Sequence, residues 1–146
     1  MPLAGETIIA GKVPGERIAT NIVTADSATF TTTETTVQSV TAALVTGRTY
    51  RVRAAGKANS SVTSDFTIWR IREDNSTGNQ LQSDRVNIDG SGVEGAKVEM
   101  EAEFTAGSTG NKTFVLTGVR SSGTGNCFLE AAAARPSYLY VEYIRG

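Results

Sequence analysis

The sequence contains no histidine and a single cysteine, Cys127. Histidine is the commonest metal ligand and the usual general base near neutral pH, so its absence excludes a Ser-His-Asp triad and any histidine-based metal site. One cysteine excludes an intrachain disulfide and a zinc site built from several cysteines. Cys127 precedes Phe128 and Leu129, and this apolar setting predicts a buried, inert thiol, with a reactive thiol as the alternative.

Excess charge and long apolar runs are also lacking. Fourteen basic residues stand against fifteen acidic ones, a net charge of −1, which supplies no general field for binding nucleic acid or an anionic membrane. No apolar run approaches the roughly 20 residues that span a bilayer. The first residues show no basic region followed by an apolar one, so we expect no secretory signal and a protein that is made and used in a cytosol, or released by lysis.

Glycine, with 15 residues, and abundant threonine contrast with only three prolines. β-Branched side chains suit a pleated surface, and glycine supplies turns. Short apolar segments recur between clusters of turn residues, and they predict strands at 20–24, 28–33, 36–45, 49–57, 62–73, 80–88, 97–105, 112–120, 126–133 and 137–145. The spacing indicates an all-β fold, an antiparallel β-sandwich or jelly roll of about eight to ten strands.

Residues 1–19 differ from the rest of the chain. They contain two prolines and three glycines, together with the apolar side chains Ile8, Ile9, Val13 and Ile18. This stretch is too broken for a helix and too apolar for a solvated tail. We therefore predict an extended N-terminal attachment arm over 1–19, with a disordered terminus as the alternative, and a sandwich domain over 20–146.

The last predicted strand is apolar or aromatic on both faces. Strand parity places Tyr138, Tyr140 and Ile144 on one face. It places Leu139, Val141 and Tyr143 on the other face. One set can fill the core, and the second needs another cover, for which a symmetric neighbouring subunit is the simplest source. We assign the expected oligomer interface to Tyr138, Tyr140 and Ile144.

A row of carboxylates, Glu99, Glu101 and Glu103, lies on one face of a predicted strand, with neighbours about 6.5–7 Å apart. Such a row suggests an inverting glycosidase or a calcium site. The alternative is a solvated or ion-paired face, because the arginines at 51, 53, 70 and 72 have the same spacing. We favour the solvated or paired face. No glycine-rich segment contains Gly-Lys-Ser/Thr, so we expect no phosphate loop, no cofactor and no enzymatic activity.

The two ends of the sequence resemble those of a known class of protein. The chain opens with Ala4-Gly-Glu-Thr-Ile-Ile-Ala-Gly-Lys-Val-Pro14, then Gly15-Glu-Arg-Ile18, and its last strand reads Arg135-Pro-Ser-Tyr-Leu-Tyr-Val-Glu-Tyr-Ile144. These segments resemble small virion structural proteins of tailed bacteriophages, especially those that infect actinobacteria. The resemblance implies a jelly-roll module, often trimeric, that is attached to a capsid or a tail through an N-terminal arm.

The resemblance suggests a functional hypothesis with two alternatives. The favoured one is a trimeric capsid decoration protein that binds the major capsid protein through its arm, in a virion assembled in the host cytoplasm. The first alternative is a minor tail or baseplate protein, or a receptor-binding head module, whose partners are tail proteins or a host receptor. The second is a carbohydrate-binding sandwich that acts alone.

Overall fold

The computed structural model describes residues 13–89 and 95–146. In these residues it contains nine strands and no helix, which confirms the all-β prediction. The strands are β1 (Arg17–Val23), β2 (Thr35–Leu44), β3 (Thr49–Ser60), β4 (Asp65–Glu73), β5 (Gln80–Ile88), β6 (Ala96–Thr105), β7 (Gly110–Ser122), β8 (Cys127–Glu130) and β9 (Ser137–Arg145).

The strands form two antiparallel sheets that pack face to face. The first sheet has the order β1-β9-β3-β6, and the second has the order β2-β7-β4-β5. At the two sides of the sandwich, β1 contacts β2 and β5 contacts β6. Chain neighbours therefore lie mostly in opposite sheets, which is the connectivity of a jelly roll and confirms that part of the prediction.

Strand alternation explains how each sheet buries one face. In β6, Val98, Met100 and Ala102 point into the sandwich, and the intervening glutamates face outwards. The second sheet contributes the largest buried side chain, Trp69, together with Phe114. Both inner faces are thus apolar, as expected for two sheets that share one core.

The predicted strand at 28–33 is wrong, because that segment crosses from the first sheet to the second. Its regular pairing is limited to a bridge between Phe30 and Cys127, with backbone hydrogen bonds of 2.8 and 2.9 Å. The Phe30 ring lies over Gly118, where an added Cβ would stand 2.5 Å from the ring. It meets Trp69 edge-on, with ring centroids 5.4 Å apart. The segment therefore contributes the Phe30 side chain to the core and does not pair as a continuous strand.

Strand β3 changes partner along its length. Its first part pairs with β9 as far as Ala55, which lies opposite Tyr138. Its last part pairs with β8, from Lys57 opposite Glu130 to Ser60 opposite Cys127. The connection between β8 and β9 lies beside this change of partner, where Arg135 and Pro136 line one hollow together with Gly56, Lys57 and Glu130.

Candidate interaction surfaces

The arm joins the sandwich at the edge of the first sheet. Strand β1 begins at Arg17, so the last three residues of the predicted arm lie in the sheet. Ile18 is half-buried and packs against the core, and Val13 is 56% exposed. Ile8 and Ile9 lie outside the described residues. The structure therefore separates Ile18, which belongs to the fold, from the residues that precede β1.

The root of the arm is hydrogen-bonded to the end of β9. The Gly15 amide donates to the Tyr143 carbonyl at 2.8 Å, and the Tyr143 amide donates to the Glu16 carbonyl at 2.9 Å. Gly15 has a φ of 86°, a conformation that favours glycine. The chain therefore enters the sandwich at a defined position and in a defined direction.

The two faces of β9 are separated as strand parity predicts. Leu139, Val141 and Tyr143 are buried in the core. On the outer face, Tyr138 and Ile144 are half-buried, but Tyr140 is only 6% exposed. The cover over Tyr140 includes Arg17, whose guanidinium lies 3.9 Å from the ring centroid. A side chain of the same subunit thus covers one of the three predicted interface residues.

The carboxylate row lies in a ladder of ion pairs on the outer face of the first sheet. Arg53 lies 3.3 Å from Glu99 and 3.4 Å from Glu101, and Arg145 lies 3.0 Å from Glu103. Lys97 approaches Glu99 to 2.5 Å. The hydrogen bond and the positive charge of Lys97 lower the pKa of the Glu99 carboxyl, and Arg53 makes a smaller contribution. Arg51 also lies 3.9 Å from Glu101. The expectation of a solvated or paired face is confirmed, with Arg51 and Arg53 as partners from the predicted set.

The other two arginines of the predicted set have a different partner. Arg70 and Arg72 lie on the second sheet and pair with Glu34 at 2.8 and 2.7 Å. Thr117 also donates a hydrogen bond to Glu34, at 2.6 Å. Burial acts to raise the pKa of Glu34, but the hydrogen bonds from Arg72 and Thr117 and the two arginine charges outweigh it and lower the pKa. Glu34 carries no periodic signal in the sequence, and sequence reasoning missed it.

A buried polar cluster surrounds Cys127. The Asp65 carboxylate accepts hydrogen bonds from the Ser60 hydroxyl at 2.5 Å and from the amides of Thr124 and Gly125 at 3.0 and 3.1 Å. The Cys127 sulfur lies 3.6 Å from the same carboxylate. Burial raises the pKa of the Cys127 thiol. A hydrogen bond with Ser60 acts in the opposite direction, and the Asp65 charge raises the pKa further. Through the hydrogen bonds from Thr124 and Gly125, the cluster fixes the position of the loop between β7 and β8.

A cleft opens beside β8, at the end of the sandwich opposite the arm root. It has a volume of about 360 Å³ and is lined by Asp26, Asn59, Phe128, Glu130, Ala131, Ala132 and Arg135. Arg135 lies 3.4 Å from Glu130, and the Asn59 side-chain amide donates to Glu130 at 2.6 Å. Glu130 separates this cleft from a neighbouring hollow of about 300 Å³ that Tyr138 lines.

Within residues 13–89 and 95–146, no group of three or more acidic or cysteine side chains is arranged to hold a metal ion. The same residues include no helix of the length and apolarity that a membrane span requires.

No protein-family model and no curated protein matches this chain. Similar solved structures include infectious bursal disease virus VP2 in its subviral particle, with 13% identity and a TM-score of 0.49 over 100% of this chain and 37% of that chain. The Bacillus thuringiensis delta-endotoxin Cry8Ea1 has 12% identity and a TM-score of 0.46, covering 90% of this chain and 20% of that one. A family 6 carbohydrate-binding module has 15% identity and a TM-score of 0.38, covering 96% and 94%.

The chain therefore spans 37% and 20% of the lengths of the first two proteins. With all three TM-scores below 0.5, these likenesses support no argument about function. The fold assignment rests on the strand order of the two sheets.

Proposed function

We propose that this chain is a non-enzymatic virion structural protein, a trimeric decoration protein that binds the major capsid protein of a phage through its N-terminal arm. The observation that carries the proposal is the hydrogen-bonded root of the arm, where Gly15 and Glu16 pair with Tyr143. A sandwich that holds Gly15 and Glu16 at a defined position provides a fixed starting point for an attachment arm whose sequence contains Ile8 and Ile9. This supports the virion class to which the two ends of the sequence point.

The outer face of the first sheet supports a structural role over a catalytic one. Glu99, Glu101 and Glu103 each lie within 4 Å of an arginine or a lysine. General acid catalysis by a carboxyl group needs a raised pKa, whereas the pKa of Glu99 is lowered. A ladder of this kind instead stabilises the pairing of neighbouring strands.

The same face offers apolar groups to a second subunit. Ile22 is 53% exposed and lies opposite Tyr138 in the register of β1 and β9. Ile144, near the other end of β9, is half-buried. We assign the trimer contact to Tyr138 and Ile144, with Ile22 beside Tyr138, and give Tyr140 a supporting role beneath Arg17.

The test uses undecorated shells of the phage that encodes this chain. Full-length protein is expected to bind them saturably, with a number of copies per shell that is a multiple of three. Deletion of residues 2–12 removes Ile8 and Ile9 but leaves β1 and Ile18 in place, and we expect it to weaken binding at least 100-fold. Val62→Ala is the control, because Val62 is also an exposed valine but lies between β3 and β4, outside the arm, and this variant should bind like the wild type.

Two results would overturn the proposal in different ways. Absence of binding by the full-length protein excludes decoration, and labelled protein found on tails would favour the tail alternative. Undiminished binding by the deletion variant, with its sandwich intact by circular dichroism, excludes attachment through the arm.

A further inference from the structure

The cleft beside β8 is lined by one aromatic side chain and by paired charged side chains. Hydrogen bonds to the backbone fix the segments that line it. The Asp26 carboxylate accepts the Ala131 amide at 2.9 Å, and the Ser27 amide donates to the Leu129 carbonyl at 2.9 Å. Ala132 and Arg135 exchange two backbone hydrogen bonds of 3.1 and 2.9 Å, which close a tight turn. These bonds hold Asp26 and the turn that carries Arg135 in place, and both residues line the cleft.

The polar groups of the cleft are matched in charge. Glu130 accepts from Asn59 and lies within 3.4 Å of both Lys57 and Arg135. Asp26 supplies the second carboxylate of the lining, and Lys57, which lines the neighbouring hollow, is the second cation, so two negative and two positive side chains lie in or beside the cleft. A ligand with a large net charge would upset this balance. A neutral ligand rich in hydroxyl groups fits it, because each hydroxyl both donates to a carboxylate and accepts from a guanidinium.

The aromatic side chain adds a second requirement on the ligand. Phe128 is half-buried and lines the cleft beside Glu130. Ligand sites typically combine apolar or aromatic walls with a few placed polar groups, in volumes of about 300–1,000 Å³. The cleft, at about 360 Å³, reaches that range. A pyranose ring offers an apolar C–H face to an aromatic ring and hydroxyls at its edge.

We propose that this cleft binds a neutral saccharide. Phe128 contacts the apolar face of one sugar ring, and Arg135, Asp26 and Glu130 bind its hydroxyl groups. The binding step itself does not depend on the decoration role proposed above. If that role holds, the cleft faces away from the capsid, because it lies at the end of the sandwich opposite the arm root.

The test measures sugar binding by the isolated full-length protein. Fluorescently labelled protein is applied to an array of bacterial-surface and plant oligosaccharides, and the strongest ligand is titrated by calorimetry. Arg135→Ala and Phe128→Leu are each expected to weaken binding at least tenfold. The matched control is Arg145→Ala. The Arg145 side chain is 63% exposed and paired with Glu103, and the Arg135 side chain is likewise 62% exposed and paired with Glu130. Binding by the control should stay within twofold of the wild type.

The outcomes separate this proposal from the previous one. No array signal above background overturns the cleft proposal and leaves the shell-binding test untouched. Equal affinities for the Arg135→Ala and Arg145→Ala variants, or unchanged binding by Phe128→Leu, also overturn it. Arg135 lies in an exposed turn, so its substitution is expected to keep the fold, and amide spectra of each variant check this point.

Discussion

The Arg17 guanidinium stacks over the Tyr140 ring, 3.9 Å from its centroid, and so links the first described strand to the last. Arg53 approaches the same ring from β3, at 5.9 Å. Strand parity alone places the Tyr140 ring on the outer face, and there the two arginines cover it. Tyr140 therefore stabilises the subunit itself, and of the three predicted interface residues only Tyr138 and Ile144 are left for the proposed trimer contact.

This difference gives separate predictions for the two tyrosines. Tyr140→Ala removes a ring that is 6% exposed, and we expect a loss of about 2–4 kcal/mol in the free energy of unfolding. The double variant Tyr138→Ala, Ile144→Ala should cost less stability but dissociate the proposed trimer. Urea denaturation measures the first effect, and light scattering during size exclusion measures the second. A trimer that survives the double variant would place the interface elsewhere.

A second prediction concerns the contact between Phe30 and Gly118. An added Cβ at position 118 would lie 2.5 Å from the ring, so Gly118→Ala should destabilise the protein by about 1–3 kcal/mol through overpacking. Phe30→Ala should cost about 3–5 kcal/mol because it leaves a cavity. Since the alanine at 118 fills part of that cavity, the double variant should be more stable than the sum of the two losses predicts. Additive losses in a double-mutant cycle would contradict the contact.

The sequence predicted those parts of the fold that follow from alternation within one strand. Glu99, Glu101 and Glu103 alternate with buried residues, so their outward direction was predictable. The spacing of Arg51 and Arg53 equals that of Arg70 and Arg72, yet only the first pair meets the glutamate row. The difference arises because β3 lies beside β6, whereas β4 lies in the other sheet. Strand parity does not show which strands are neighbours in a sheet.

Two other features depend on chain crossings, which local patterns do not encode. Phe30 lies in a threonine-rich segment that satisfies strand propensity but must pass between the sheets. The cleft at Glu130 exists because β8 takes over from β9 as the partner of β3. Only the order of the strands shows that Phe128 and Arg135 line one space with Asp26.

The Asp65 cluster leads to a prediction about the loop between β7 and β8. Asp65→Asn removes a buried carboxylate that accepts two backbone amides and a hydroxyl. We expect a loss of about 2–4 kcal/mol, since hydrogen bonds to charged groups contribute more than neutral ones. Amide hydrogen exchange at Thr124 and Gly125 should accelerate more than in the core strands. Asp74→Asn, at an ion-paired side chain that is 57% exposed, is the matched control and should change little.

The thiol of Cys127 provides a test of burial without any substitution. It is fully buried, and burial raises its pKa, so the reactive thiolate is scarce near neutral pH. We expect no reaction with a thiol reagent such as dithionitrobenzoate in the native protein and one equivalent after unfolding in guanidinium. Rapid modification of the native protein would instead favour the reactive-thiol alternative.

The ion pairs of Glu34 predict how stability depends on pH. The pKa of this carboxyl is lowered below its ordinary value of 4.5 in the folded protein. The unfolded chain therefore binds a proton before the folded one does, and stability falls as the pH drops through the folded pKa. Above about pH 5 the contribution is fully present, and there Glu34→Gln should lose about 1–2 kcal/mol, because Arg70 and Arg72 lose their shared carboxylate.

Below the folded pKa the difference between wild type and Glu34→Gln should shrink, because the wild-type carboxyl is then also neutral. Urea denaturation of both proteins at pH values from about 7 to 3 measures this convergence. Glu103→Gln is the control, since its partner Arg145 is 63% exposed, and an exposed pair contributes about 0–1 kcal/mol. A difference for Glu34→Gln that stays constant or grows on acidification would show that the carboxylate charge does not provide the stabilisation.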